Sequence, residues 1–384
     1  MGVNTQLSYY KQNKVNPVNL VTKGEKWEKH IRVRVNLYEN HLKLPISWFD
    51  GKRILEFGPN GGENSLILAM YGAQISLVEP HKMIHKRIRT LYNEASLEDY
   101  LLNIDIRTLE QYKDDELYDL VIAEGFIHAL PDRLEVIRKL CSFSSNFVIF
   151  TYNEKPGWFF ESMKRAVFKR VLELFQLTVD QWEETLAVAE KLFYNNFQKL
   201  GSARSFESWV KDILINPVAT SDMFDSLDDF MLVFEEMGCE YHSGSPAWDL
   251  RHAHKWYKDL DRGGVIDEYY RNIPFFINGN KYEKITEGCI ADINSITEKF
   301  LDYSSGLIDF REIECLPRLD PSEWNYAGQV NELLNILLSK KADKIISYFV
   351  HSSLCEMWGM PQHYVCVRKA ILNKKMLTKI SNRK

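Results

Sequence analysis

The chain has 384 residues, of which 45% are hydrophobic and 26% are charged, and its formal net charge is -5. These values are typical of a globular protein with two or three domains, and they give no overall basic field of the kind that favours nucleic-acid binding. Six scattered cysteines and the lack of an apolar run of membrane-spanning length predict free thiols, no membrane span and a cytoplasmic location.

The first part of the chain predicts a helical segment followed by an α/β unit. We expect residues 1–50 to form a helical flap, with Tyr9, Tyr10 and Trp27 near the site described below. Residues 51–155 then alternate apolar strand patterns such as KRILEF with amphipathic helix patterns such as HKMIHKRIRTLYNEA. Strands that alternate with helices form a parallel sheet covered on both faces, so this segment predicts a doubly wound, Rossmann-like α/β fold.

The second part of the chain changes character. Residues 156–335 place apolar side chains at helical spacing and predict a mostly helical insertion over the carboxyl ends of the strands, as an acceptor site and lid. Residues 336–384 predict a terminal helix, followed by an antiparallel β-hairpin built from KIISYFV and HYVCVRKA that completes the sheet.

The stretch LEFGPNGG, residues 55–62, lies between the first predicted strand and the first predicted helix. A dinucleotide fingerprint would need glycines at positions 58, 60 and 63, where this chain has Gly58, Asn60 and Glu63. Glu63 begins the following helix, where its charge would repel a pyrophosphate. The turn therefore predicts a nucleotide-like ligand and disfavours NAD or FAD.

Two further acids narrow the ligand. Glu79 ends the second predicted strand, where a carboxylate can accept hydrogen bonds from both hydroxyls of an adenosine ribose. Glu56 lies at the end of the first predicted strand and could face a cationic group. An adenosine that carries an amino acid and a positive sulfur, S-adenosylmethionine (SAM), satisfies both conditions.

Three motifs resemble those of the class I SAM-dependent methyltransferases. ILEFGPNGGENS resembles their first motif, SLVEP resembles the segment with the ribose-binding acid, and YDLVIAEGFIHALPD resembles the motif on the fourth strand. The resemblance implies a seven-stranded methyltransferase sheet, SAM as cofactor and S-adenosylhomocysteine (SAH) as product. The resemblance, with strand spacing for positions 106 and 107, assigns these cofactor-binding residues: Glu56, Phe57, Gly58, Pro59, Asn60, Gly61, Gly62, Asn64, Glu79, Pro80, Ile106, Arg107, Glu124 and Gly125.

A narrower resemblance concerns TYNEKPGW, residues 151–158. This stretch is similar to a Y-N-x-x-P-G-W segment in bacterial methyltransferases with a helical C-terminal region, some of which act on protein lysines. The similarity implies that Tyr152 and Asn153 line the methyl-transfer channel.

Methyl transfer to a hydroxyl or ammonium acceptor requires a group that takes up a proton. His128 and Glu124 are the first catalytic candidates, followed by Tyr152 and then His254. A helix-capping acid and a partly buried histidine are equally good interpretations of Glu124 and His128. The polar run WDLRHAHKWYKDL, residues 248–260, is interpreted as a solvated helix or an acceptor-binding surface, and no metal site is predicted.

The sequence thus predicts a SAM-dependent methyltransferase that modifies an oxygen or nitrogen of a small-molecule or sugar-like acceptor. A protein-lysine methyltransferase is the alternative within the same chemistry. A non-catalytic SAM- or nucleotide-binding interaction module and a dehydrogenase are the alternatives of other classes. Nucleic acid is not expected as a partner, and a homodimer stays open.

Overall fold

The structure is a computed structural model, and it describes residues 4–13, 15, 23–200, 204–247, 262–280 and 284–370. A single seven-stranded sheet runs through these residues, in the order β3-β2-β1-β4-β5-β7-β6. The strands are β1 (Arg53–Phe57), β2 (Gln74–Val78), β3 (Leu101–Asp105), β4 (Tyr118–Ala123), β5 (Ser144–Asn153), β6 (Cys239–Ser245) and β7 (Gln362–Lys369). Strands β1 to β5 are parallel, whereas β7 is antiparallel to both β5 and β6. The predicted Rossmann-like α/β fold with a seven-stranded sheet is confirmed.

Helices flank this sheet and form a separate layer beside it. In chain order they are α1 (Asn4–Asn13), α2 (Glu25–Asn36), α3 (Glu63–Met70), α4 (Lys82–Glu94), α5 (Arg133–Phe143), α6 (Phe159–Leu174), α7 (Trp182–Leu200), α8 (Phe206–Trp209), α9 (Leu227–Glu236), α10 (Arg262–Arg271), α11 (Ile273–Asn278), α12 (Glu287–Ser304), α13 (Arg311–Glu314), α14 (Ala327–Leu337) and α15 (Ala342–His351). In the part of the chain that is described, no helix is both long and apolar enough to cross a membrane.

The sheet has an apolar core on each face because alternate strand residues point in opposite directions. Ile54, in β1, lies in the core that α2, α3 and α4 cover, which we call the α3 face. Leu55, the next residue, lies in the core that α5 and α9 cover, which we call the α5 face. A third core joins α6, α7, α12, α14 and α15 beside the sheet.

The predicted C-terminal β-hairpin is wrong. KIISYFV lies in α15, and the strand from HYVCVRKA, β7, pairs with β5 and with β6 from the middle of the chain. Ala342, Ile345, Ile346 and Phe349 are all buried, and their spacing of three, four and seven residues is the repeat of one helix face. The region predicted as mostly helical therefore also supplies a strand, β6, to the sheet.

Candidate functional site

The glycine-rich turn joins β1 to α3 at the carboxyl ends of the parallel strands. Gly58, Asn60 and Gly62 all have positive φ angles, of 64°, 51° and 84°. A side chain at position 58 would press on the ring of Phe126, because a Cβ there would lie 3.0 Å from two of its carbons. Asparagine tolerates the left-handed conformation better than most residues, so Asn60 fits this turn without a glycine.

Glu79 is fixed by the same turn. The backbone N–H groups of His81 and Asn60 donate hydrogen bonds to its two carboxylate oxygens, over 2.7 and 3.3 Å. The side chain is 5% exposed, and burial raises its pKa to about 7, while these two N–H groups act in the opposite direction. The carboxylate is therefore held rigidly at the end of β2, where it can accept hydrogen bonds from a ligand.

Glu63, the first residue of α3, occupies the N-terminal end of that helix with its carboxylate. Glu63 is buried, forms an ion pair with Arg87, and lies so close to Gly61 that a Cβ at position 61 would collide with its carboxylate. The N-terminus of α3 is thus occupied by a protein carboxylate. A pyrophosphate would find neither space nor a free positive end of the helix there.

Glu56 is buried at the end of β1 and has an unsatisfied oxygen. Its side chain is 3% exposed, and the Oε2 atom has no hydrogen-bond partner. The pKa of Glu56 is raised to about 8, chiefly by burial and also by the charge of Glu124, while Arg34 acts in the opposite direction. Buried carboxylate oxygens are nearly always hydrogen-bonded, so this atom marks a place where a donor is missing.

Arg34 is a site residue that the sequence analysis missed. It lies on α2, and its guanidinium donates to both carboxylate oxygens of Glu124 at 2.6 and 3.0 Å. It also donates to the hydroxyls of Tyr38, at 2.7 Å, and Tyr364, at 3.3 Å. The Nε atom of Arg34 is buried and has no hydrogen-bond partner.

A signal for Arg34 was present in the sequence. Trp27, Arg34 and Tyr38 are buried residues of one helical stretch, spaced seven and then four apart, so they share a face. A charged residue within such an apolar stripe is unusual and points to a buried charged partner. That partner is Glu124, whose carboxylate is held in place by the ion pair, and its role as proton acceptor stays a prediction.

His128 follows β4 on a short 3-10 turn, Ile127–Ala129, and is half-buried. Burial lowers its pKa to about 4, Asp212 opposes this shift and Arg133 adds to it. The imidazole is therefore neutral at pH 7, the form that can accept a proton, although the lowered pKa makes it a weak base. The role of His128 as proton acceptor stays a prediction.

Tyr152 has surroundings that do not favour the predicted role. It lies in the core of the α5 face, whereas the partners of Glu124 belong to the α3 face. Its hydroxyl oxygen lies 3.1 Å from the hydroxyl of Tyr269 and 3.4 Å from Oε2 of Glu154, and burial raises its pKa well above the usual value. These surroundings disfavour ionisation of the phenol, and the role of Tyr152 in catalysis stays a prediction. Asn153 points the other way and has a buried Nδ2 atom without a partner.

The remaining predicted cofactor residues have varied surroundings. Asn64 donates to Glu124 at 3.4 Å, and the side chain of Phe57 packs in the α5-face core. Ile106 is 51% exposed beyond β3, and Arg107 forms an ion pair with Asp105 next to it. Pro59, Pro80 and Gly125 lie beside these residues in the chain, at the ends of β1, β2 and β4.

Helix α1 lies between the helical layer and the end of β2. Tyr9 donates to the carbonyl of Lys211 at 2.7 Å, and Tyr10 donates to Asp212 at 2.5 Å, both in the helical layer. The charge of Lys11, on the same helix, acts on Glu79. Trp27 packs in the α3-face core instead.

A cavity of about 690 Å³ opens beyond the ends of β4 and β5, between these strands and helices α9 to α12. The cluster of residues 248–260, including His254, lies outside the described residues. Within the described ranges, no group of three or more histidine, cysteine or acidic residues could hold a metal ion.

No protein-family model matches the chain, and no curated protein sequence matches it. Magnesium protoporphyrin IX methyltransferase from Synechocystis PCC 6803 with bound SAM is similar in structure, with 17% identity, 39% of this chain and 71% of that chain covered, and a TM-score of 0.29. PKMT2 from Rickettsia typhi in complex with AdoHcy is 11% identical, with 85% of this chain and 50% of that chain covered and a TM-score of 0.42. N-methyltransferase NodS from Bradyrhizobium japonicum WM9 in complex with SAH is 13% identical, with 40% of this chain and 74% of that chain covered and a TM-score of 0.30. At these values, the chemistry has to be argued from the site itself.

Proposed function

We propose that the chain is a SAM-dependent methyltransferase that transfers the methyl group to a small-molecule or sugar-like acceptor. One observation carries the proposal. The site contains a buried acceptor without a donor, Oε2 of Glu56, and a buried donor without an acceptor, Nε of Arg34. The two side chains are close enough for the charge of Arg34 to lower the pKa of Glu56. An α-amino acid group matches this pair, because its ammonium donates and its carboxylate accepts.

The rest of the site suits the adenosyl part of SAM. Glu79 offers a fixed carboxylate to the ribose hydroxyls, and the exposed Ile106 offers an apolar surface near the end of β3 for the adenine. Glu63 closes the position at which a dinucleotide would place its pyrophosphate. This arrangement favours SAM over NAD and FAD.

When bound, SAM supplies a methyl carbon on a positively charged sulfur, which leaves as the neutral thioether of SAH. The chain has to align the acceptor with that carbon, exclude water, and take up a proton where the acceptor carries one. His128 is the neutral group placed for the last task, after β4 and next to the helical layer. The cavity of about 690 Å³ has the size of a small-molecule site and supports a small acceptor.

Calorimetric titration with SAM, SAH and NADH tests this proposal. We expect SAM and SAH to bind and NADH not to bind. Glu79→Gln should weaken SAH binding by about 10- to 100-fold, because it removes charge-assisted hydrogen bonds to the ribose. Glu94→Gln, an exposed acid on α4, is the matched control and should leave binding unchanged.

Four outcomes contradict the proposal. Failure of both SAM and SAH to bind would show that SAM is not the cofactor, and tight NADH binding would favour a dehydrogenase. Tight SAH binding without methyl transfer to either the metabolites or the proteins of a cell extract would favour a non-catalytic module. Transfer of labelled methyl to proteins alone would replace the small acceptor with a protein side chain.

Glu56 should lower the stability of the folded protein at alkaline pH. The carboxyl has a pKa of about 8 in the folded chain, above its ordinary value of 4.5, so the native state holds the proton more tightly than the unfolded state. The contribution of Glu56 to the free energy of unfolding is therefore fully present below pH 4.5 and is lost as the pH rises toward 8. Glu56→Gln should remove this loss and raise the melting temperature at pH 8.5 while weakening SAM binding. An unchanged melting temperature at pH 8.5 would contradict this expectation, and Glu94→Gln again serves as the control.

A further inference from the structure

The cavity beyond β4 and β5 has an unusual set of charges. Its wall contains four acidic residues, Asp132, Glu154, Asp225 and Asp229, and two basic residues, Arg133 and Lys155. Both basic side chains are already paired with acids. Nε of Arg133 donates to Asp225 at 2.6 Å, and Nζ of Lys155 forms an ion pair with Glu298. Neither cation is therefore available to hold an anionic ligand.

Glu154 is the most deeply buried acid of this wall that has no ion pair among the described residues. It directly follows β5, is 5% exposed, and forms no ion pair with any residue in the described parts of the chain. Oε2 of Glu154 lies 3.4 Å from the hydroxyl of Tyr152. Burial raises the pKa of Glu154 to about 8, and the hydrogen bond from Tyr152 and the charge of Lys155 only partly oppose this shift. A positively charged ligand would favour the ionised carboxylate and offset the cost of burying it.

Two more wall residues have oxygens without donors. Oδ2 of Asp225, just before α9, and Oδ1 of Asn294, on α12, are both buried and without a hydrogen-bond partner. The side chain of Asp225 is only 10% exposed. With Glu154, three separate segments of the chain thus bring hydrogen-bond acceptors to this cavity, and those of Asp225 and Asn294 include an unsatisfied buried oxygen. An ammonium group has three N–H donors and no acceptor, which is the complement of this set.

We propose that this cavity binds a ligand that carries an ammonium group, with Glu154 as its counter-ion and with Asp225 and Asn294 accepting further hydrogen bonds. The cavity lies at the carboxyl ends of β4 and β5, and Arg133 on its wall also donates to the backbone carbonyl of His128 at 3.4 Å. The cavity is therefore next to the residue that we assign to proton transfer. The next step rests on the proposed function: the ammonium-bearing ligand is the methyl acceptor. The acceptor then belongs to the cationic amines and amino compounds.

The binding test uses one ammonium probe and its uncharged counterpart. 2-Phenylethylammonium and 2-phenylethanol are titrated into the full chain saturated with SAH, and binding is followed by calorimetry. We expect the ammonium probe to bind at least about tenfold more tightly, the size of a charge-assisted hydrogen bond. Glu154→Gln should abolish this preference. Asp229→Asn, an exposed acid of the same cavity, is the matched control and should change the preference less than about threefold.

Equal binding of the two probes, or an undiminished preference in Glu154→Gln, would overturn the proposal. Circular dichroism and SAH binding of each variant show whether it has folded. If Glu154→Gln does not fold, Asn294→Leu provides the second variant, since it removes one unsatisfied acceptor and should reduce the preference. Failure of SAH to bind is measured separately and would count against the proposed function, not against the charge preference of the cavity.

The acceptor itself is tested with a metabolite extract and SAM that carries a trideuterated methyl group. We expect the new labelled product, identified by mass, to be retained on a cation-exchange resin at pH 7. A labelled product that passes through the resin would be neutral or anionic, and it would overturn the assignment of the ammonium ligand as the acceptor.

Discussion

Replacing Arg34 with methionine is expected to destabilise the folded protein by about 3–5 kcal/mol, the usual cost of leaving one member of a buried ion pair alone. The side chains of Arg34 and Glu124 are only 6% and 12% exposed, so the remaining carboxylate of Glu124 would be buried without its partner. The same change removes the unsatisfied Nε donor and should weaken SAH binding at least about tenfold. Urea unfolding and calorimetric titration measure the two effects separately.

A double variant separates the effect of Arg34 on the stability of the fold from its effect on SAH binding. Arg34→Met combined with Glu124→Gln removes both charges, so most of the lost stability should return, because buried pairs can be replaced by uncharged residues at little cost. SAH binding should stay weak, because the donor on α2 is still missing. Recovery of SAH affinity in the double variant would show that Arg34 acts only on the fold. Wild-type stability in the single variant would show that the ion pair is not formed in solution.

Replacing His128 with glutamine is expected to slow methyl transfer by about 10²- to 10⁴-fold, the range over which a positioned acid or base accelerates reactions. Its pKa of about 4 keeps the imidazole in the unprotonated form throughout the neutral range, and the same burial makes it a weaker base than an exposed histidine. SAH affinity should change little, since the proposed cofactor contacts lie on other residues. The transfer rate from labelled SAM to the acceptor fraction of a metabolite extract measures the effect.

The control for this prediction is His351→Gln, an exposed histidine at the end of α15, which should leave the rate unchanged. An acceptor that needs no proton removal, such as a carboxylate or a thioether, would give equal rates for wild type and His128→Gln. That result would remove His128 from the chemistry and leave it as a packed side chain.

The parallel half of the sheet could be predicted from sequence because each strand is a short apolar run next to its own helix. The other half could not, because β6 and β7 are far apart in the chain and pair only through tertiary contacts. KIISYFV was assigned to a strand from its apolar, β-branched composition, although Ile345, Ile346 and Phe349 also fit the helical repeat. Over seven residues the two patterns are hard to separate, and packing against the helical layer decides between them.

The candidate site divides in a similar way. Glu56, Gly58 and Glu79 could be found because the turn and the strand ends place functional residues at regular distances along the chain. Arg34 could not be found by that route, because it reaches Glu124 from a helix that precedes the sheet. Glu154 was hidden for a different reason, since its importance depends on the absence of an ion-pair partner among the described residues around the cavity.

The position of β7 between β5 and β6 determines when the protein can complete its sheet during synthesis. Phe147 of β5 pairs with Arg368, and Glu240 of β6 pairs with that same residue. The ribosome therefore finishes β6 long before the strand that joins it to the rest of the sheet exists. Until then β5 is an open edge, which favours pairing with other chains. A nascent chain stalled before residue 362 would have the glycine-rich turn but no β7 to pair with β5 and β6, and we expect it to need protection against aggregation.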